Sequence, residues 1–271
     1  MNRKFPTFRH NLNPIHFREN LTNKEFDEFS TDNSRDRLRH LKVKENAVHI
    51  KYWEKNPFTY KFNNFGFRSN DDFHRYGRGN IFLGCSHTEG IGWPLNETWS
   101  KRIHDKIGGE NFFNFGTGGG SIATGRRYLQ AWAGYLNAQN VFVCFPHPYR
   151  YDYFSMENKS FNTMLPGIYG GLTDDNLPKA LTEEYMAADY YVSNLTAIYC
   201  ICKEHDLNLY VIQQARFKSS DSDPIKDRKP RDLIHMPKSG QDEIYNTAIE
   251  LYENNKVFTY DDIFSDKFYL G

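Results

Sequence analysis

Four short apolar runs alternating with segments of helical periodicity constrain this chain more than anything else in it. The runs are Ile81-Phe82-Leu83-Gly84, Asn111 to Phe115, Val141 to Phe145 and Leu207 to Ile212. Runs so short and so apolar read as strands buried on both faces. The intervening segments repeat apolar residues every three or four positions. Pro94 to Ile107 opens with a proline, carries Trp99, Ile103 and Ile107 on one face, and is stopped by Gly108-Gly109. Ile122 to Leu136 is a second helix. Leu181 to His205 is a third, with Tyr185, Ala188, Val192, Leu195, Tyr199 and Cys202 along one side. Ser239 to Tyr252 is a fourth, with Ile244, Ala248 and Leu251 inward. Strands that alternate with helices pair in parallel through crossovers. The expected fold is therefore a three-layer α/β/α sandwich around a mostly parallel sheet.

That pattern occupies residues 77–255 of the 271. Residues 1–76 have another texture, rich in Asn, Arg, Lys, Asp and Phe, and read as a polar extension packed on the main domain. The stretch from Val48 to Tyr60 is expected to hold a strand or two. Residues 256–271 form an aromatic and acidic tail. The 22 Phe and 18 Tyr argue against disorder, since aromatic rings bury the most surface per residue. The 34 basic and 34 acidic residues cancel, so neither nucleic acid nor an anionic membrane is an expected partner. No apolar run is long enough to span a membrane, and the polar first twenty residues do not resemble a secretory signal. Cys85, Cys144, Cys200 and Cys202 lack the spacing of a disulfide framework and are read as reduced, which suits the cytoplasm.

In open parallel sheets, sites form at the carboxyl ends of the strands. The first end reads Gly84-Cys85-Ser86-His87-Thr88-Glu89-Gly90. A serine between strand and helix is either a nucleophile beside free backbone amides or a helix-capping residue in a tight turn. The second end, Asn114-Phe115-Gly116-Thr117-Gly118-Gly119-Gly120-Ser121, either donates amides to an anion or is a pliable turn. It lacks the lysine and spacing of a nucleotide loop. The third end, Phe145-Pro146-His147-Pro148-Tyr149-Arg150, holds a histidine stiffly between two prolines, in a site or on the surface. Before the last helix stands Asp232-Leu233-Ile234-His235-Met236-Pro237. A carboxylate three residues before a histidine can orient the imidazole as a general base, or the two can be an exposed acid and a capping segment.

Together these segments resemble the SGNH (GDSL-like) hydrolases, an esterase superfamily of flavodoxin-like architecture. Ile81 to Arg102 is similar to the family's first block, with Ser86 on the nucleophile position. The glycine cluster resembles the second block, with Gly119 matching the oxyanion glycine. Asp232-x-x-His235, followed by Pro237, Ser239 and Gly240, resembles the last block. Asn64-Phe65-Gly66-Phe67-Arg68 is similar to a lead-in that precedes the first block. Two departures stand out. Cys85 replaces the usual aspartate before the nucleophile. The third block has no asparagine, and His147 is its nearest polar candidate. Losing one oxyanion donor would slow such an enzyme by ~10²–10³.

The resemblance implies a serine esterase with the triad Ser86, Asp232 and His235 and an oxyanion hole built from the amides of Ser86 and Gly119 with His147. No cofactor or metal is implied. Cys85 and His87 show no ligand spacing, and His10, His16, His40 and His49 are scattered, as surface residues are. Tyr149, Tyr151, Tyr153, Phe154, Phe161 and Tyr169 offer faces that either stack on a sugar or pack the loop onto the domain. The expected substrate is a short-chain acyl ester, with an O-acetylated saccharide foremost. The expected partners are that small ester or acylated saccharide and, at most, further copies of the chain. The departures keep a catalytically inactive protein of the same fold, with a carbohydrate-binding or structural role, as the alternative. A lipid or thioester hydrolase would need a long acyl groove, and a nucleotide-binding protein would need phosphate ligands that the glycine loop lacks.

Overall fold

The strand runs pair as their apolarity requires. The computed structural model describes residues 18–145, 150–155, 160–164, 184–212 and 227–263. In chain order the elements are β1 (Glu25–Phe26), α1 (Arg35–His40), α2 (Ala47–Lys55), β2 (Tyr60–Lys61), β3 (Gly79–Gly84), α3 (Ser86–Glu89), α4 (Trp99–Ile107), β4 (Asn111–Asn114), α5 (Ile122–Trp132), β5 (Ala138–Cys144), β6 (Tyr151–Ser155), β7 (Ser160–Met164), α6 (Glu184–Glu204), β8 (Asn208–Val211), α7 (Lys238–Glu253) and α8 (Tyr260–Ile263).

The central sheet has four parallel strands in the order β4-β3-β5-β8. The chain leaves β3 for β4 on one side and returns to β5 on the other. The switch point, where such sheets open a crevice, therefore lies between the carboxyl ends of β3 and β5.

Alternation along the strands divides the core in two. Ile81, Leu83, Val141, Val143, Leu209 and Val211 face one layer, where Leu129 and Trp132 of α5 and Leu195 and Ile198 of α6 cover them. Phe82, Phe142 and Tyr210 face the other, under Trp99 and Ile103 of α4 and Ile244 and Ala248 of α7. These three rings stand in register, with centroids 5.3 Å apart from Phe82 to Phe142 and 4.9 Å from Phe142 to Tyr210. Each buried ring contributes roughly 2–3 kcal/mol by area alone. At the amino ends of the same strands Asn80, Asn140 and Asn208 form a ladder. Asn208 donates to Asn140 at 3.2 Å, and Asn140 to Asn80 at 2.8 Å. The three-layer expectation stands.

Four local expectations change. Ala47–Lys55 is a helix and not a strand, and it buries His49 and Trp53 on one side. The helix expected from Pro94 begins at Trp99, because Thr98 is extended and caps it by accepting from the Lys101 amide at 3.3 Å; Pro94 instead leads a 3₁₀ turn, Leu95–Glu97. The region after β5 contains an antiparallel hairpin, β6 with β7. His49 is buried and not at the surface, and its Nδ1 accepts from the Lys229 amide at 3.3 Å. His40 is exposed, as expected; His10 and His16 lie outside the described residues. All four cysteines are free, and Cys85, Cys144 and Cys202 are buried. Among the described residues no helix is long and apolar enough to cross a membrane.

Candidate active site

Glycine ends β3 because nothing larger fits: a Cβ on Gly84 would overlap the Thr88 side chain and the Cys144 carbonyl. Cys85 stays extended, and Ser86 opens the short α3. As first residue of that turn, Ser86 has an N–H with no acceptor inside the helix. Its side chain is nearly covered, at 7% exposure, and its Oγ donates to the Cys85 Sγ at 3.9 Å. Gly90, at φ +81°, closes α3 and turns the chain.

Arg68 holds that turn from behind. It is fully buried and donates to the carbonyls of Glu89 (3.2 Å), Gly90 and Trp93 (2.6 Å), while its guanidinium lies 4.3 Å from the Tyr60 ring centroid. Burial lowers its pKa to about 10, outweighing the attraction of Tyr60, Glu89 and Asp32. The Tyr60 hydroxyl in turn accepts from the Gly92 amide at 2.8 Å.

Asp232 and His235 come together as the sequence suggests. The His235 Nδ1 lies 2.5 Å from Asp232 Oδ2, and Asp232 Oδ1 accepts from the amides of Ile234 (3.1 Å) and His235 (3.2 Å). The turn between them runs through Leu233 in the left-handed region, φ +62°, with its side chain buried. Such a conformation costs a non-glycine residue about 1–2 kcal/mol. Burial pushes the Asp232 carboxyl up, but the His235 hydrogen bond and charge with the two amides outweigh it and hold the pKa below the usual range. Asp232 is therefore the anionic partner of the imidazole at neutral pH.

This loop is docked on the Ser86 turn. The Arg231 amide donates to the Gly92 carbonyl at 2.8 Å, and Trp93 Nε1 donates to the Met236 carbonyl at 3.1 Å. A Cβ on Gly92, which sits at φ +83°, would press on Pro230 and come within 3.1 Å of Asp232 Oδ1. The His235 ring meets the His87 ring edge-on, 5.7 Å between centroids. Burial, aided by the charges of His235 and Arg150, lowers the His87 pKa to about 3, so it is a neutral neighbour.

The glycine loop lies against the far end of α3. A Cβ on Gly116 would overlap the Glu89 amide. The Gly118 amide donates to Glu89 Oε2 at 2.5 Å, and the Gly120 amide to the Thr117 carbonyl at 2.8 Å. Gly119, between them, takes φ +76° and is exposed. Among the described residues no group accepts from its amide. His147 lies outside the described residues, as do Tyr149 and Tyr169. Of the aromatic faces, Tyr151 is buried against Tyr190 at 4.9 Å and offers no platform, whereas Tyr153 is exposed. Among the described residues no group of three or more His, Cys, Asp and Glu side chains is placed to hold a metal.

Sequence reasoning missed the clasp around the Asp–His loop. Asp32 pairs with Arg231 at 2.7 Å, with both side chains nearly covered. Lys229 Nζ donates to Asn46 at 2.8 Å, and Trp53 Nε1 donates to the Lys229 carbonyl at 2.9 Å. Arg228 stacks over Tyr52, Trp53 and Trp93. The dense charge from Ser30 to Lys44 was visible in the sequence, but nothing local paired it with position 231.

Among solved structures, the chain is similar to a crystal structure of a member of the lipolytic protein G-D-S-L family from Veillonella parvula DSM 2008. The match has 14% identity and a TM-score of 0.38, and it covers 65% of this chain and 98% of that one. No family model matches, and no curated protein matches. The architecture accordingly rests on the strand order and layer packing described above.

Proposed function

We propose that the protein is a serine esterase acting on short-chain acyl esters, with O-acetyl groups on a carbohydrate as the foremost substrate class. The observation that carries this reading is the Asp232–His235 pair docked against the Ser86–His87 turn at the carboxyl end of β3. In this reading His235 takes the Ser86 proton as the hydroxyl attacks the ester carbonyl. Asp232 holds the imidazole by Nδ1, which leaves Nε2 for the serine, and stabilises the imidazolium that forms. The amides of Ser86 and Gly119 face the developing oxyanion, with His147 as a third donor. The Gly119 assignment is supported by its neighbours, since Glu89 already engages the Gly118 amide. The imidazolium then protonates the leaving alcohol, and water, activated by His235, hydrolyses the acyl-enzyme.

A second reading, a non-catalytic protein of the same architecture, draws on Cys85. A thiol, a weak hydrogen-bonding group, stands beside the serine hydroxyl in place of a carboxylate. Hydrolysis of p-nitrophenyl acetate by the purified protein, beside Ser86→Ala, decides between them. The esterase reading expects turnover that vanishes in Ser86→Ala, followed by acetate release from acetylated saccharides. Equal background rates in both proteins would remove it and favour the non-catalytic protein.

A further inference from the structure

We propose that Glu89, held by Arg18, is a positioning residue that sets the direction of the Gly119 amide for catalysis. The inference rests on the esterase reading above. Glu89 has 0% exposure, and a carboxylate so placed is costly unless its oxygens are engaged. One oxygen pairs with the Arg18 guanidinium and the other accepts from the Gly118 amide. Gly118 itself is exposed, so water would serve its amide equally well. The bond is therefore not needed to satisfy Gly118; its consequence is to fix the peptide plane at that point. The next bond of the turn, Gly120 N–H to the Thr117 carbonyl, fixes the other side. Gly119 is thereby trapped between two anchored peptides in a left-handed conformation, and its N–H is directed by both.

The anchor reaches into the N-terminal segment. The Arg18 amide donates to the Phe65 carbonyl at 2.8 Å, and its guanidinium lies 5.8 Å from the Phe62 ring centroid. An ionised acceptor makes a shorter and stronger bond to an amide than a neutral one does. That is the advantage of a carboxylate here over glutamine, which would fill the same space.

The test compares wild type, Glu89→Gln, Glu89→Ala and Arg18→Gln in steady-state hydrolysis of p-nitrophenyl acetate. Inhibition by a simple alkylboronic acid, whose serine adduct is tetrahedral like the intermediate, is measured in parallel. Losing one oxyanion donor costs ~10²–10³ in kcat. Glu89→Ala is expected to approach the lower figure with KM within about twofold, since ground-state ester binding makes little use of the hole. Glu89→Gln, which retains an acceptor for Gly118, is expected to recover most of that loss. Arg18 is partly exposed, so Arg18→Gln keeps the question open to measurement even if Glu89→Ala fails to fold. Boronate affinity is expected to fall in step with kcat across the series, which a merely structural role would not produce. Folded variants with wild-type kcat and boronate affinity would overturn the proposal while leaving the esterase reading intact. A wild type without Ser86-dependent turnover would overturn both.

Discussion

At the scale of single residues, the site is a set of acids and bases whose surroundings decide their charge. Asp232 is held ionised by its hydrogen bonds, and the anion fixes the His235 tautomer. Asp232→Asn can keep its oxygen on the Ile234 and His235 amides only by turning its NH₂ against the His235 Nδ1, which favours the wrong tautomer. We expect kcat on p-nitrophenyl acetate to fall by ~10³–10⁴ with the fold retained, measured beside thermal denaturation. His87 behaves in the opposite sense to a salt-bridged histidine. Its folded pKa is lowered to about 3, against ~6.5 in the unfolded chain. Between those values the unfolded state binds the extra proton. The stability linked to this group is therefore complete above pH ~6.5 and is lost as pH falls towards 3, by no more than about 1.4 kcal/mol per pH unit. Because residue 87 as a whole is only partly buried, the slope should be shallower than that limit. Urea denaturation from pH 7 to pH 4 should show this loss in wild type and a flatter profile in His87→Gln. Equal slopes would mean that His87 protonates freely in the folded protein.

At the scale of elements, the two ends of the sheet have separate tasks. The carboxyl ends carry the candidate site, while the amino ends carry the asparagine ladder of β3, β5 and β8. Asn140→Ala removes the donor to Asn80 inside a buried layer, and an unsatisfied group there costs about 1–3 kcal/mol. We expect a lower urea midpoint and an unchanged kcat, since the ladder is at the far end of the strands from Ser86. The strands were legible because a short run that is apolar on both faces suits the middle of a covered sheet and little else. Helices α4 to α7 were legible because their apolar faces repeat. In Val48 to Tyr60 an expected strand appears only at the end, as β2, while most of the stretch is α2. Alternating apolar and polar residues there suggest a strand, but the side that matters is the one where His49 and Trp53 dock on Lys229. Only tertiary contact could reveal it. The hairpin of β6 and β7 was hidden by the many aromatic, Gly and Pro residues around it.

At the scale of the whole molecule, residues 18–62 are part of the frame that holds both site loops. Arg18 braces the glycine loop through Glu89, and Asp32, Asn46 and Trp53 brace the Asp–His loop through residues 229–231. Ser86, Gly119 and the Asp232–His235 pair could be singled out as candidates from the sequence, because each sits in a short motif at an element end. The frame could not, because ion pairs between distant segments leave no local pattern. Asp32→Ala leaves Arg231 nearly covered and without its carboxylate, a change that costs about 3–5 kcal/mol in comparable buried pairs. We expect a clear fall in melting temperature, and a loss of p-nitrophenyl acetate turnover at temperatures well below the melt as the Asp–His loop loosens. Turnover equal to wild type at those temperatures would show that the clasp is purely structural.

The pair between Asp32 and Arg231 spans 199 positions of chain. A ribosome adding roughly 5–20 residues each second needs on the order of 10–40 s to deliver the second partner after the first. During that interval α5, β5 and much of the sheet can already assemble, and Arg18 can already meet Glu89, while Asp32 still waits for Arg231. The segment around Asp32 is thus among the last to settle. A nascent chain stalled short of the Asp–His loop would hold a nearly finished sheet with Asp32 still lacking the Arg231 guanidinium.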